Sequence, residues 1–185
     1  EFLKRKRKVR TIWFSFDRED TEDIWLWVSF SKTVERTNSQ LGKRFFEYGM
    51  PTDENDLQKL IKAITNEIEM DTIVVFDDMH LCNSENIRNL IQKIAQAAIP
   101  KLHMVVISRM KVNMPVDELV ATGKARSIGA GSFYFTREEC ENFFIINDER
   151  LDEEEGDLLY QKTMGWASGL YMALLYYKKY HDFES

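Results

Sequence analysis

Apolar residues in this chain follow two alternating patterns: short unbroken runs, and longer stretches in which they return every third or fourth position. Residues 9–16, VRTIWFSF, are β-branched and aromatic and end at Asp17, Arg18, Glu19 and Asp20, so they predict a strand. Ile24, Trp25, Trp27, Val28 and Val34 then recur at helical spacing, with Asp20 or Thr21 placed to cap the helix they predict. Gly49-Met50-Pro51 breaks the chain, and residues 53–70 set Leu57, Leu60, Ile61, Ile64 and Ile68 on one helical face. Four consecutive apolar residues, Ile73, Val74, Val75 and Phe76, lead into Asp77-Asp78. A run without alternation predicts a strand covered on both faces, inside a parallel sheet. Asn83 or Ser84 opens a helix through Ile87, Leu90, Ile91, Ile94 and Ala98, which Pro100 stops. Residues 102–108, LHMVVIS, predict another apolar strand, followed by a short helix at 115–121 and a weak strand at 125–128. After Gly129-Ala130-Gly131, helices are predicted at 137–146, 152–164 and 166–179, the first opened by Thr136 with Glu138 and Glu139 close behind.

Strand and helix alternate as far as residue 128 and helices alone follow, which predicts a parallel α/β sheet with a helical appendage. The expected domains are 1–135, an α/β core, and 136–185, a helical segment. No internal repeat or low-complexity segment is present. The longest apolar stretch, residues 170–177, has eight residues, against the roughly 18 to 20 needed to cross a bilayer. Cys82 and Cys140 lie far apart without a C-x-x-C spacing, which excludes a disulfide framework or a zinc ribbon and leads to the expectation of a reducing, cytoplasmic compartment. His80-x-Cys82 lacks the four ligands of a structural zinc site. The chain starts without Met and without a secretory apolar region, so a fragment of a longer product is expected.

Charge sharpens this picture unevenly. The net charge of −6 argues against sequence-independent nucleic-acid binding by the whole chain. Lys4, Arg5, Lys6, Arg7, Lys8 and Arg10 nevertheless form a basic start, which reads either as a phosphate-contacting arm or as a solvated helix end. Residues 138–157 hold ten carboxylates against one arginine. Trp13, Trp25, Trp27 and Trp166 sit in apolar surroundings and are expected in the core, with Trp166, between Gly165 and Gly169, also able to line a cleft.

The chemistry gathers at two strand ends. Ligands of open parallel sheets bind beyond the carboxyl ends of the strands, so Asp77 and Asp78 are set toward a crevice. An apolar strand ending in acids has the form of a Walker B element, in which the first carboxylate serves Mg²⁺ and the second polarises the attacking water. The plainer reading is that both acids cap the next loop. Ser108-Arg109 ends the following apolar strand at the same edge, where a guanidinium suits a terminal phosphate or an ion pair with Asp77 or Asp78.

The succession TIWFSFDREDTEDIWLWV, IVVFDDMHL, LHMVVISRM, FYFTREECENFF and TMGWASGLYMAL resembles the ATPase domain of STAND-class signal-transducing NTPases. It is most similar to the MalT-like branch, the large ATP-binding LuxR-type transcriptional regulators of bacteria, over about residues 9–177. The resemblance implies a P-loop NTPase core of AAA-like architecture followed by a helical lid. It also implies ATP or ADP with Mg²⁺ as cofactors, and a slow ATPase in the parent protein. Asp77 then corresponds to the Mg²⁺-side Walker B acid, Asp78 to the catalytic acid and Arg109 to the sensor arginine. Gly165-Trp166 resembles the lid position where related proteins carry a proline-containing adenine contact; here Ala167 follows and no proline is present. The implied partners are the rest of the regulator, namely its phosphate-loop segment and its C-terminal sensor and DNA-binding domains. No nucleic acid or membrane binding by this chain is implied, and no helix-turn-helix is visible.

One departure outweighs the others. The phosphate loop G-x-x-x-x-G-K-[ST], whose backbone N–H groups cradle the phosphates, is absent. Gly42-Lys43 and Gly123-Lys124 pair the right residues, but neither is followed by Ser or Thr. In the resembled family that loop lies just upstream of the strand at 9–16, so residues 1–8 are expected to be the tail of the helix after it. This chain is accordingly expected to be inactive alone. The strand feeding the loop would lie between those at 102–108 and 125–128, so its absence would leave two open edges, met by self-association or by an added segment. Two other readings stand beside this one: a noncatalytic interaction module that has lost its nucleotide site, and a receiver-like phospho-acceptor domain.

Overall fold

The computed structural model of the chain describes residues 9–18 and 22–183, which form two compact units divided after Arg126. The basic run at 4–8, the helix tail expected at 1–8 and the caps expected at Asp20 and Thr21 lie outside the described residues.

In the first unit, β1 (Arg10–Ser15), β2 (Thr72–Asp77) and β3 (Leu102–Val106) form a parallel sheet in the order β1-β2-β3. Trp13, Val75 and Val105 lie in one cross-strand row, as do Phe14, Phe76 and Val106. Between the strands run α1 (Asp23–Glu35), α2 (Ser39–Tyr48), α3 (Glu54–Glu67) and α4 (Glu85–Gln96), and α5 (Asp117–Ala121) follows β3. Asn38, Asp53 and Ser84 cap α2, α3 and α4 through side-chain oxygens that accept from backbone N–H groups three residues on. The chain is therefore a generic α/β fold with a small parallel sheet and flanking helices.

Strand periodicity sorts the side chains. Ile12, Phe14, Val74, Phe76, Leu102 and Met104 face the apolar stripes of α1 to α4 and line with them an apolar space of about 60 Å³. The opposite face carries Trp13 and Val105, 53% and 42% exposed, on either side of buried Val75. This corrects two expectations. Trp13, Trp25 and Trp166 are more than half exposed, and of the four tryptophans Trp27 alone is buried. Residues 125–128 form no strand, because Arg126 and Ser127 interrupt the apolar pattern and, among the described residues, no strand pairs with them. β3 is accordingly an edge, with Val105, Val106 and Ile107 each about two-fifths exposed.

The described residues of the second unit form a 3-10 turn at Ala130–Phe133 and the helices α6 (Arg137–Ile145), α7 (Glu153–Thr163) and α8 (Ala167–Tyr180). Thr136 with Glu139 and Asp152 with Glu155 complete reciprocal capping boxes on α6 and α7. Much of the acidic run is thereby explained. Glu138 and Glu139, and Glu153, Glu154 and Glu155, occupy first turns, where the helix dipole favours negative charge. Arg137 of α6 donates through Nε to Asp157 of α7 at 2.7 Å and pairs with Glu141 at 3.0 Å. Cys140, Phe144, Leu159, Leu170, Leu174 and Tyr177 form the core.

Tyr177 donates its hydroxyl to Glu155, 3.1 Å from both carboxylate oxygens, and burial together with that carboxylate pushes its pKa up to about 12. The hydroxyl is protonated in the stabilising pair, and its folded value lies above the ordinary 10. Its stability contribution is thus complete below pH 10 and lost as pH rises toward 12. Thermal melts across that window are expected to show a decline that Tyr177→Phe flattens. Equal declines in both proteins would remove Tyr177 as its source.

Candidate functional site

The carboxyl ends of β2 and β3 are tied to one another by backbone bonds. Ile107 N–H donates to Phe76 O at 2.9 Å, and Met79 N–H donates back to Ile107 O at 3.0 Å. Asp77 ends β2 opposite Ser15 of β1, and its carbonyl accepts from Phe16 N–H at 3.1 Å. The strand ends abruptly because Asp78 adopts a left-handed conformation, φ 51° and ψ 37°, which a short acidic side chain tolerates better than a β-branched one. A 3-10 turn, Met79–Leu81, follows at once.

The two acids are held differently. Asp77 Oδ1 accepts the N–H of Asp78 at 2.9 Å, which fixes its carboxylate against the turn. Asp78 Oδ1 faces two side-chain nitrogens without bonding either: His80 Nδ1 lies 3.9 Å away and Arg109 Nε 3.8 Å away. These distances exceed a hydrogen bond, and Arg109 is 83% exposed, so the pairing with Arg109 is weak. Ser108 turns back on its own loop, donating its hydroxyl to Met110 O at 2.6 Å. Asp77, Asp78 and Arg109, separated by thirty residues of sequence, are thus brought to one end of the sheet.

His80, weighed in the sequence only as a zinc ligand beside Cys82, also stands at this strand end. Its Nδ1 is buried with no hydrogen-bond partner, although Asp78 stands within 4 Å. An orphaned buried nitrogen beside a half-exposed carboxylate marks a place where a small movement gains a bond. Sequence offers only the i, i+2 spacing from Asp78, which does not distinguish this from a loop histidine. Among the described residues, no group of three or more His, Cys, Asp or Glu is arranged to hold a metal ion.

Gly165 and Trp166 belong to the helical unit. Gly165, at φ +75°, joins α7 to α8, and its carbonyl accepts from Phe135 N–H at 2.8 Å. Trp166 stands at the cap position of α8 and is 59% exposed. Ser15 accepts the indole N–H of Trp13 at 3.2 Å, in keeping with a local role at the strand end. Among the described residues, no helix is long and apolar enough to cross a membrane.

A scan of the chain against protein-family models matches none, and a search of curated proteins finds no match.

Proposed function

We propose that the α/β unit is the acid- and arginine-bearing part of a STAND-type nucleotide switch from a bacterial transcriptional regulator. The observation that carries this reading is the meeting of Asp77 and Asp78, at the end of the central parallel strand, with Arg109 beyond the neighbouring strand. In that role Asp77 serves the metal side, Asp78 orients the attacking water and Arg109 reads the terminal phosphate. Two carboxylates suit Mg²⁺, which binds mainly through the phosphates of its nucleotide. The described residues supply no glycine-rich cradle of N–H groups, so the triphosphate would need a strand, loop and helix from outside them. The open edge of β3 is where an added parallel strand would find unpaired backbone groups, since the N–H and C=O of Met104 and Val106 point away from β2 in this register. Gly165 and Trp166 would belong to the lid.

The exposure of Trp13, Val105 and Ile107 also favours a second reading, a noncatalytic module that docks a partner on the same face.

Nucleotide binding and hydrolysis separate the two. The 185-residue chain alone is expected to show no micromolar binding in calorimetric titration with MgATP. In the longest polypeptide encoded in frame around it, Asp78→Asn is expected to slow hydrolysis by roughly 10²- to 10⁴-fold with ATP affinity retained. Asp77→Asn is expected to weaken both. Failure of that longer polypeptide to bind ATP, or equal effects of the two changes, would reject the switch reading and leave the docking module.

A further inference from the structure

The cleft between α2 and α3 is walled by three cations and by no carboxylate. Arg44 and Tyr48, one turn apart on α2, face Lys59, Lys62, Ala63 and Asn66 of α3 around a space of about 210 Å³. The four α3 positions follow the i, i+3, i+4, i+7 spacing of a single helical face. Buried Ala63 is the floor, and its methyl group leaves open the volume that a leucine would fill.

The cations are positioned but not all neutralised. Arg44 Nη2 bonds Glu67 Oε1 at 2.9 Å, and Glu67 is itself only 13% exposed, behind the guanidinium rather than in the cleft. Tyr48 and Glu67, beside the same guanidinium, raise its pKa. Lys59 pairs with Asp56 at 3.0 Å. Lys62 has no partner among the described residues. Glu47 also acts on Arg44 and Asp53 on Lys59, so of the three cations Lys62 is the one left without a carboxylate partner among the described residues, beside the phenol of Tyr48 and the amide of Asn66.

We propose that this cleft binds the phosphate group of a small phosphomonoester, either soluble or carried as a lipid headgroup. A fixed arginine fork with two lysine point charges is the donor set that a doubly charged, tetrahedral oxyanion requires, and the tyrosine hydroxyl and asparagine amide add neutral donors. The space is smaller than the roughly 300 Å³ of a drug-sized pocket, which fits one phosphate and a short appendage. The cations number one on α2 and two, within a single turn, on α3 rather than a stripe along the surface, so a nucleic-acid backbone is the poorer match. None of these residues belongs to the strand-end cluster of Asp77, Asp78 and Arg109, so the inference is independent of the nucleotide reading.

The test is an NMR titration of the ¹⁵N-labelled 185-residue chain with glycerol 3-phosphate, with inorganic phosphate and with chloride at matched ionic strength. A parallel arm adds phosphatidylcholine vesicles with and without phosphatidic acid. Saturable shifts confined to α2 and α3 are expected with the phosphates and not with chloride. Response to the acidic vesicles alone would support the headgroup as the source, and response to the soluble phosphates alone would support the free ester. Lys62→Glu is expected to weaken binding by about tenfold or more with an unchanged melting temperature, because Lys62 pairs with no charged group among the described residues. Lys43→Glu, on α2 outside the cleft, is expected to bind as the unaltered chain does. Equal shifts with chloride, no saturation with phosphate or vesicles, or an undiminished response in Lys62→Glu would overturn the proposal.

Discussion

Gly165→Ala is expected to unfold the helical unit while the α/β unit stays folded. At φ +75° an alanine is strained, and a Cβ on this backbone would stand 2.0 Å from Phe135 O and 2.9 Å from Phe135 N. Those atoms cannot swing aside, because Phe135 N–H is bonded to Gly165 O at 2.8 Å and the approach is backbone against backbone. The combined cost is about 4 kcal/mol or more, in the range reserved for core defects and forbidden backbone geometry. A unit of 59 residues, 127–185, holds on the order of 3 to 9 kcal/mol in total, so the change removes much or all of its stability. Amide hydrogen exchange reads this directly: α6, α7 and α8 lose protection and α1 to α4 keep theirs. Protection of α6 to α8 within about 1 kcal/mol of the unaltered chain would show that the turn relaxes around an added methyl. The result also bears on function, since a loss of nucleotide affinity on changing Gly165 would then have a folding cause.

The largest single loss in the α/β unit is expected at Trp27. Its ring is buried, stacks on Phe45 with centroids 5.3 Å apart, and donates its indole N–H to Phe45 O at 2.9 Å. Trp27→Ala removes the ring and leaves a cavity where α1 meets α2, at a cost of roughly 3 to 5 kcal/mol. Trp27→Phe keeps most of the stacking and gives up the hydrogen bond. Phe45 O still accepts from Gly49 N–H at 3.1 Å, so this second change is expected to cost only about 1 to 2 kcal/mol. Urea unfolding of the two variants measures the difference, and similar losses in both would mean that the hydrogen bond, not the ring, carries the contribution. Fluorescence gives a second check. The other three tryptophans are more than half exposed, so Trp27→Phe is expected to remove the blue edge of the emission.

Helices with a clear apolar stripe were legible residue by residue. Leu57, Leu60 and Ile64 of α3 and Ile87, Leu90 and Ile91 of α4 are buried as their spacing requires. α2 was not legible, because Gly42 interrupts a short segment whose buried set is only Leu41, Gly42 and Phe45. That glycine lies against the backbone of Glu35, where a Cβ would come within 2.3 Å, a tertiary reason invisible in a local window. The tryptophans failed for a different cause. Hydrophobicity predicts burial on average, but in β1 alternation puts Ile12 and Phe14 on the helical face and leaves Trp13 on the other. At the candidate site, the acids were legible as the end of an apolar run, whereas the orphaned nitrogen of His80 and the loose approach of Arg109 depend on how two loops fold back. The basic cleft was out of reach for the same reason as α2, which supplies Arg44 and Tyr48.

The parallel order of the sheet sets unequal demands on chain closure. Thr72 is paired with Leu102, thirty residues ahead, and with Arg10, sixty-two residues behind. Joining β2 to β3 therefore closes about half the length of chain needed to join β1 to β2, an entropic advantage of about 0.6 kcal/mol. It also needs only one intervening helix, α4, whereas three helices must be accommodated before β1 can dock. Chain entropy thus favours pairing β2 with β3 over pairing it with β1, although both outer strands of the sheet are edges among the described residues.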